Sequence, residues 1–338
     1  MFDRVMLKLS YDVGPAGAWF EPIGSLQIAV EAEKVGFEAA WFGDHVLPWF
    51  HTHAHVPQAW VWITAALERT RRFPVGSDVT VPMFKYHPIV VAQAFATMAR
   101  IHPGRVLLGV GTGEAINEEP ILGKWPNWKE RAETLVEAVT LIRKYWNSDD
   151  YFDFVGKYFQ VKGLLCYDRP PKPIPIYWSA FGPKSALLAG EVADHIITAA
   201  ASAEKIPTSL LTEFRRGQEI TRNVATKAEH AVYLDCGYGD VKKLLKKFRI
   251  HAGSMIPENT NEKDPREIEA SALDLSDEFI LERTCLTNSP DILIERIEEF
   301  RDVGFDHIIF GDWGYNPSAT VKMFGRKIIP YFKRKHRK

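Results

Sequence analysis

The chain has 338 residues, of which 46% are hydrophobic and 25% charged, and its formal net charge at pH 7 is −1. This composition is that of a globular protein with a large core, and the near-zero charge excludes an overall electrostatic field that recruits nucleic acid or an anionic membrane. No run of apolar residues approaches the roughly 18 that a membrane span needs.

The three cysteines, Cys166, Cys236 and Cys285, are widely spaced and odd in number. This pattern argues against a disulfide framework or a zinc knuckle and fits a reducing compartment. The N-terminus has no signal-peptide layout, so we expect a cytoplasmic protein. The basic run Lys333–Lys338 is interpreted as the solvated end of a last helix rather than as a polyanion-binding arm.

Short β-rich runs alternate with longer amphipathic stretches along the whole chain. Among the helical stretches, Ile292–Val303 has the clearest pattern of apolar residues facing charged ones. Eight β-then-α units without a composition break predict one parallel (β/α)8 barrel domain over residues 1–338. The predicted strands are Val5–Ser10, Ala39–Gly43, Phe73–Asp78, Val106–Gly111, Ile174–Ser179, His195–Ala199, Ala231–Asp235 and His307–Phe310.

Two regions interrupt this alternation. Lys157–Pro173 is a long insertion before the fifth strand, and Phe248–Thr284 resembles helical fragments joined by a polar loop. Long excursions in a compact domain are usually lids or binding loops. Because barrel active sites lie at the C-terminal ends of the strands, we expect the chemistry there.

The segment after the second predicted strand carries a carboxylate next to an imidazole, Asp44 and His45. A histidine at that edge of a barrel is well placed to act as a general base near neutral pH. A helix-start aspartate beside a packed histidine explains the pair equally well. Nearby, His51, His53 and His55 could bind a metal, but no carboxylate or cysteine completes a ligand set, and no metal is predicted.

A glycine-rich segment, Gly109–Glu118, follows the fourth predicted strand with the spacing GxGxGE. Glycines let backbone amides approach a planar or anionic ligand, but this spacing is neither the dinucleotide fingerprint nor a P-loop. Glu114 can exchange a proton at the barrel mouth, or it can simply complement a helix dipole. After the fifth strand, Gly182 and Pro183 start a helix whose free amides suit a phosphate, or form an ordinary β-to-α turn.

Taken together, these segments resemble the deazaflavin-dependent branch of the bacterial-luciferase-like barrels. The chain is most similar to the F420-dependent glucose-6-phosphate dehydrogenases and the F420-dependent secondary alcohol dehydrogenases. The ordered set of matches is more specific than any single one, and it spans nearly the whole chain: Asp44-His45, Pro48-Trp49, Pro88, Gln93–Met98, Pro103–Val106, Gly111–Glu118 and Gly182–Lys184.

The resemblance implies a role for each matching residue. His45 would remove the hydroxyl proton of an alcohol while a hydride passes to C5 of coenzyme F420, and Glu114 would supply a proton to the ring nitrogen N1. Trp49 would orient the substrate over the ring, and a non-proline cis peptide is expected at Asp78-Val79. The implied cofactor-binding residues are Asp44, Ser77, Asp78, Val79, Thr112, Gly113, Asn117, Ser179, Ala180, Gly182 and Pro183.

Departures from the family pattern bear on the substrate. The sugar-phosphate enzymes hold the phosphate with Thr-Ser-Gly-Lys after strand six, whereas Thr198–Lys205 has no lysine at the matching place. Their second phosphate lysine falls on Asn259, with Lys263 close by, and their arginine is retained as Arg283. One arginine is a poor set of donors for a dianion. A glutamate of both relatives has no counterpart in Gly17–Phe20.

The sequence therefore predicts an alcohol:F420 oxidoreductase, with a small secondary alcohol preferred over a sugar 6-phosphate as substrate. An F420-dependent glucose-6-phosphate dehydrogenase is the first alternative, and an FMN-dependent luciferase-like monooxygenase on the same barrel is the second. No nucleic-acid or membrane partner is expected, and the resemblance implies a homodimer.

Overall fold

The structure is a computed structural model that describes residues 7–14, 21–221 and 228–335. The described residues form eleven strands, which we number in chain order. They are β1 (Lys8–Asp12), β2 (Ala39–Phe42), β3 (Val75–Thr80), β4 (Val106–Val110), β5 (Phe152–Val155), β6 (Gln160–Leu164), β7 (Ile176–Ser179), β8 (His195–Ala199), β9 (His230–Tyr238), β10 (Cys285–Thr287) and β11 (His307–Asp312).

Eight of these strands close a parallel barrel in the order β1-β2-β3-β4-β7-β8-β9-β11. The ring is complete because β8 pairs with β9, β9 with β11, and β11 with β1. The predicted (β/α)8 fold is therefore confirmed, and each predicted strand overlaps one barrel strand. The first observed strand ends two residues later than predicted, at Asp12, while the predicted start at Val5 lies outside the described residues.

Helices occupy most of the chain between the strands. Proline at the first positions starts several of them, and side-chain caps start others: the Gln58 side chain accepts from Val61 N, and Asn127 from Glu130 N. In the described part of the chain, none of the helices has the length and apolarity to cross a membrane. The α-helices are α1 (Pro22–Val35), α2 (Ala59–Arg69), α3 (Pro88–Ile101), α4 (Ala115–Leu122), α5 (Trp128–Asn147), α6 (Pro183–Val192), α7 (Leu210–Thr221), α8 (Val241–Phe248), α9 (Pro265–Ser271), α10 (Asp277–Leu281), α11 (Pro290–Asp302), α12 (Pro317–Met323) and α13 (Ile329–Lys335).

The first insertion contains more structure than the sequence indicated. It begins at Phe152 rather than at Lys157, and β5 and β6 form an antiparallel hairpin within it. The Glu137 carboxylate on α5 accepts hydrogen bonds from the backbone N–H groups of Lys157, Tyr158 and Phe159 at 2.8, 2.9 and 2.6 Å. These bonds fix the turn of the hairpin against the barrel.

The second insertion consists of helical fragments, as predicted. They are α9, α10 and the 3-10 turns Ala252–Met255 and Pro257–Asn261, and α8 ends at Phe248, where the predicted insertion begins. The additional strand β10 follows them and was not predicted. It pairs with the C-terminal part of β9, where Cys285 lies opposite Cys236. The long strand β9 therefore belongs to the barrel at one end and supports the second insertion at the other.

The N-terminal end of the barrel is filled by a buried polar cluster. His307 is fully buried, with its Nε2 2.7 Å from Ser10 Oγ and its Nδ1 2.9 Å from Glu229 Oε2. The Tyr177 hydroxyl donates to the same carboxylate at 2.7 Å, and Lys8 pairs with it at 3.1 Å. Active sites of such barrels lie at the opposite, C-terminal end of the strands.

Strand β3 bulges against β4, and two glycines make the close approach possible. A Cβ atom added to Gly109 would lie 2.1 Å from the carbonyl oxygen of Ser77, and one added to Gly111 would lie 2.6 Å from Val79 Cγ2. The pairing register shifts between Ser77 and Thr80. Both glycines of this pair therefore accommodate the neighbouring strand, and Gly111 also lines the cavity at this end of the barrel.

We expect Gly109→Ala to lower the free energy of unfolding by about 1–3 kcal/mol, because the added methyl group overpacks a rigid contact with backbone. Equilibrium unfolding in urea measures the change. Gly43→Ala is the matched control, since the nearest atom to its added Cβ lies 3.4 Å away, on the His45 ring. Equal stability of the two variants would contradict the packing argument.

Candidate active site

A cavity of about 1260 Å³ lies at the C-terminal ends of the barrel strands. Its walls include the indole rings of Trp49, Trp128 and Trp313. Most of the predicted site residues line it together: Asp44, His45, Trp49, Asp78, Val79, Thr112, Gly113, Glu114, Asn117, Ser179, Gly182, Pro183 and Arg283. The structure thus brings side chains from distant parts of the sequence to one site.

Two predicted cofactor-binding residues lie below the cavity surface. Ser77 is fully buried and its hydroxyl donates to the Gly109 carbonyl at 3.1 Å. Ala180 is 1% exposed. Both lie next to lining residues in the sequence. The expected cis peptide at Asp78-Val79 is confirmed.

His45 follows β2 and points into the cavity, with its side chain 11% exposed. Its Nδ1 lies 3.2 Å from the Leu47 carbonyl oxygen and 2.9 Å from Asn117 Nδ2. Burial, together with the positive charge of Lys85, lowers the pKa of His45 to about 4. The imidazole is therefore neutral at pH 7, and its chemistry depends on which ring nitrogen carries the proton.

Glu114 lies at the N-cap of α4, but its side chain makes no capping hydrogen bond. The carboxylate instead faces His45, with Oε2 3.8 Å from Nε2. Burial raises the pKa of Glu114 to about 7, against the lowering effects of the hydrogen bond from Asn117 and the charge of Lys85. The side chain is 42% exposed through the cavity mouth, so it can exchange protons with water near neutral pH.

Asn117, on the first turn of α4, connects these two residues. Its Oδ1 accepts from the backbone N–H groups of Val46 and Leu47 at 2.8 and 3.2 Å. Its Nδ2 lies 2.9 Å from His45 Nδ1 and donates to Glu114 Oε2 at 3.1 Å. Asn117 is 4% exposed, so this amide is a buried bridge between the loop after β2 and the start of α4.

The Asp44 carboxylate pairs with a buried lysine, Lys85, which the sequence motifs did not single out. The carboxylate also accepts from the Thr80 and Tyr86 hydroxyls at 2.9 and 3.3 Å. The Lys85 ammonium lies 3.4 Å from Asp44 Oδ1 and 3.9 Å from Glu118 Oε1, and its side chain is only 3% exposed. In the sequence, Lys85 could have been noticed because it is the one lysine or arginine in the mostly apolar segment 81–91.

Three carboxyl groups from different strands form an acidic floor of the cavity: Asp12, Asp78 and Asp235. The Tyr233 hydroxyl donates to Asp12 at 2.9 Å, and Trp313 Nε1 donates to Asp235 at 2.6 Å. Burial raises the pKa of Asp78 to about 7 and that of Asp235 to about 6. Burial and the charge of Asp78 raise the pKa of Asp12 well above its usual value.

The residues considered for phosphate binding are dispersed. Arg283 lines the cavity, but its guanidinium stacks on Phe279 at 3.7 Å and lies 3.4 Å from Glu282. Lys263 pairs with Glu119 at 3.0 Å, and the Asn259 amide donates to Gly253 O and Ser271 Oγ. The segment Gly17–Phe20, where the relatives carry a glutamate, lies outside the described residues.

The histidine-rich loop is tied to the second insertion. The backbone N–H groups of His51 and Thr52 donate to the Glu269 carboxylate at 2.7 and 2.8 Å. Across residues 7–14, 21–221 and 228–335, no group of three or more His, Cys, Asp or Glu side chains is arranged to hold a metal ion. The hydrogen bonds to Glu269 therefore join the loop to α9.

Residues 15–307 match the model of the luciferase-like monooxygenase family. An F420-dependent glucose-6-phosphate dehydrogenase from Amycolatopsis mediterranei is 34% identical over 330 residues, which cover 96% of this chain and 98% of that protein. The enzyme of the same name from Mycolicibacterium fortuitum is 36% identical over 330 residues, which cover 96% of this chain and 97% of that protein. Among solved structures, an F420-dependent secondary alcohol dehydrogenase in complex with an F420-acetone adduct has a TM-score of 0.90 and 33% identity, covering 96% of this chain and 99% of that one.

A more distant structure, the coenzyme F420-dependent tetrahydromethanopterin reductase from Methanopyrus kandleri, has a TM-score of 0.80 and 21% identity. The match covers 97% of this chain and all of that one. At this identity, the match shows the same fold.

We expect Lys85→Met to lower the free energy of unfolding by about 3–5 kcal/mol, because it leaves the buried carboxylates of Asp44 and Glu118 without a cation. Lys263→Met is the control, since its pair with Glu119 is half exposed and should be worth less than about 1 kcal/mol. Urea unfolding of both variants measures the difference. A loss below 1 kcal/mol at Lys85 would contradict the expectation that this buried pairing stabilises the fold.

Proposed function

The chain belongs to the luciferase-like monooxygenase family, and from this premise we propose that it is an F420-dependent dehydrogenase. It is an oxidoreductase that uses coenzyme F420 and acts on a CH–OH group. The observation that carries this proposal is the His45–Asn117–Glu114 group, which places an imidazole nitrogen and a carboxylate oxygen 3.8 Å apart in one cavity. A single substrate oxygen can contact both.

The residues around the cavity fit this cofactor. Space is open at Gly182, where an added Cβ would meet no atom within 4 Å, and no side chain caps α6 there. The free amides of that helix start and the cations Lys184 and Arg131, which line the same cavity, suit an anionic tail. We propose as cofactor-binding residues Asp44, Ser77, Asp78, Val79, Thr112, Gly113, Asn117, Ser179, Ala180, Gly182 and Pro183.

When bound, the deazaflavin supplies a two-electron acceptor at C5 for the hydride of the carbinol carbon. The side chains of this chain handle the protons and the geometry. We propose that His45 and Glu114 are the proton-handling pair. The family resemblance implies His45 as the base and Glu114 as the proton donor. The Trp49 ring lies edge-on to His45, with 6.4 Å between centroids, and would orient the substrate.

The proposed substrate is an uncharged alcohol, preferably a small secondary one. The dispersed cations support this choice, because Arg283 lies 3.4 Å from Glu282 and Lys263 pairs with Glu119 at 3.0 Å, so neither is free to join a set of donors for a phosphate dianion. A sugar 6-phosphate remains the second candidate. It is favoured by the named activity of the relatives that align over almost the whole chain, and by the position of Arg283 in the cavity wall.

We also propose that the chain is one domain, acts as a homodimer and resides in the cytoplasm. The buried, free thiols of Cys166, Cys236 and Cys285 support a reducing compartment. The homodimer is an extension from the family.

A spectral titration with F420, followed by isopropanol and glucose 6-phosphate in parallel, tests cofactor and substrate. We expect binding, then loss of the oxidised deazaflavin absorbance with isopropanol or another small secondary alcohol. Strong turnover of glucose 6-phosphate and none of isopropanol would reverse the substrate choice. Absence of F420 binding, with a bound flavin that oxygen reoxidises, would support the FMN monooxygenase.

We expect His45→Ala to reduce kcat/KM for the alcohol by about 10²–10⁴-fold, the usual contribution of a positioned acid or base. His51→Ala is the control, because His51 is exposed and lies outside the cavity lining. Steady-state rates measured by the F420 absorbance compare the variants. Unchanged turnover in His45→Ala would remove His45 from the mechanism.

A further inference from the structure

The Asn117 amide has one orientation that satisfies its neighbours. Backbone N–H groups of Val46 and Leu47 both point at one of its terminal atoms, at 2.8 and 3.2 Å. That atom must be the oxygen, because an NH2 group there would face two donors. Since Asn117 is 4% exposed, no water replaces the lost bonds after a flip. The NH2 group is therefore directed at His45 and Glu114.

This orientation determines what His45 Nδ1 can do. Asn117 Nδ2 lies 2.9 Å from Nδ1 and brings an N–H toward it. A proton on Nδ1 would collide with that donor, although the Leu47 carbonyl at 3.2 Å could otherwise accept it. The contact with Asn117 is shorter than the contact with the Leu47 carbonyl. The Asn117 amide is also fixed in orientation, because two backbone N–H groups donate to its oxygen. Nδ1 is therefore the acceptor, and the single proton of neutral His45 resides on Nε2.

We infer that Asn117 is a positioning residue that holds His45 as an Nε2–H hydrogen-bond donor, which makes Glu114 rather than His45 the acceptor of the substrate's hydroxyl proton. This inference rests on the proposed function. It changes which of His45 and Glu114 accepts the hydroxyl proton, compared with the roles that the family resemblance implies. A neutral imidazole with its proton on Nε2 has no lone pair directed at the cavity, so it cannot deprotonate an alcohol there. It can donate a hydrogen bond to the substrate oxygen.

The resulting step is balanced. The carbinol carbon loses a hydride to the cofactor, the C–O bond becomes a carbonyl, and the O–H bond breaks with its proton passing to a Glu114 oxygen. Glu114 Oε2 lies 3.8 Å from His45 Nε2, so one substrate oxygen can accept from His45 and donate to Glu114. The greater exposure of Glu114, 42% against 11% for His45, gives that proton a path to water.

Nitrogen NMR on histidine-labelled protein reads the tautomer directly, because protonated and unprotonated ring nitrogens have different ¹⁵N shifts and couplings. The His45 signals are assigned by their loss in His45→Gln. At pH 7.5 we expect a protonated Nε2 and an unprotonated Nδ1, with and without F420. A proton on Nδ1 in either state would overturn the inference. Because this readout needs no turnover, its result is independent of whether the proposed activity is found.

Asn117→Asp is the sharpest variant, because it exchanges the donor facing Nδ1 for an acceptor of the same size. We expect the proton to move to Nδ1 and kcat/KM to fall by about 10²-fold or more. Asn127→Asp, an identical change at the exposed cap of α5, should alter neither the tautomer nor the rate. A tautomer unchanged in Asn117→Asp would show that Asn117 does not set it.

The pH profile separates the two assignments. Glu114, with its pKa at about 7, faces His45, Lys85 and Glu118 in this network. If its carboxylate accepts the proton, kcat/KM for alcohol oxidation rises as pH increases through about 7, and this limb disappears in Glu114→Gln. A profile that falls through the same pH, as expected for Glu114 acting as the acid, would refute the inference.

Discussion

The close contact between strands β3 and β4 is the constraint on which the rest of the site depends. Because Gly109 and Gly111 have no side chains, the β3 backbone can bulge toward its neighbour. The bulge brings Asp78 and Val79 to the cavity, while β4 ends a few residues before Glu114. A barrel with ordinary side chains at these positions would need a wider strand spacing. Asp78 and Val79 would then lie farther from Glu114.

Much of the fold could be predicted, because its signals are local. Each barrel strand is a short, buried, apolar run bounded by turns, and the helices between them have one apolar face. The elements that were missed lack these signals. β10 is three residues long, and the hairpin strands β5 and β6 are half exposed, so they differ little in composition from a loop. Their formation depends on partners distant in sequence, such as Glu137 for the hairpin.

The site could be predicted only in part. His45, Glu114 and Trp49 could be predicted from the sequence, because they follow predicted barrel strands and match the family pattern. The sequence could not indicate that Ser77 and Ala180 are buried outside the cavity lining, since this depends on the three-dimensional packing around each residue. Lys85 and Asp235 were missed for a different reason. A single charge within an apolar run becomes meaningful only when its three-dimensional partners are known.

The tryptophan walls of the cavity have an optical consequence. Trp49, Trp128 and Trp313 line the same space, and six further tryptophans of the described residues lie outside its lining. Indole fluorescence overlaps the absorption of an oxidised deazaflavin, so a ligand of that type within these walls quenches the protein's own emission by resonance energy transfer. Occupancy of the cavity can therefore be followed in real time in the unmodified protein, without an attached dye.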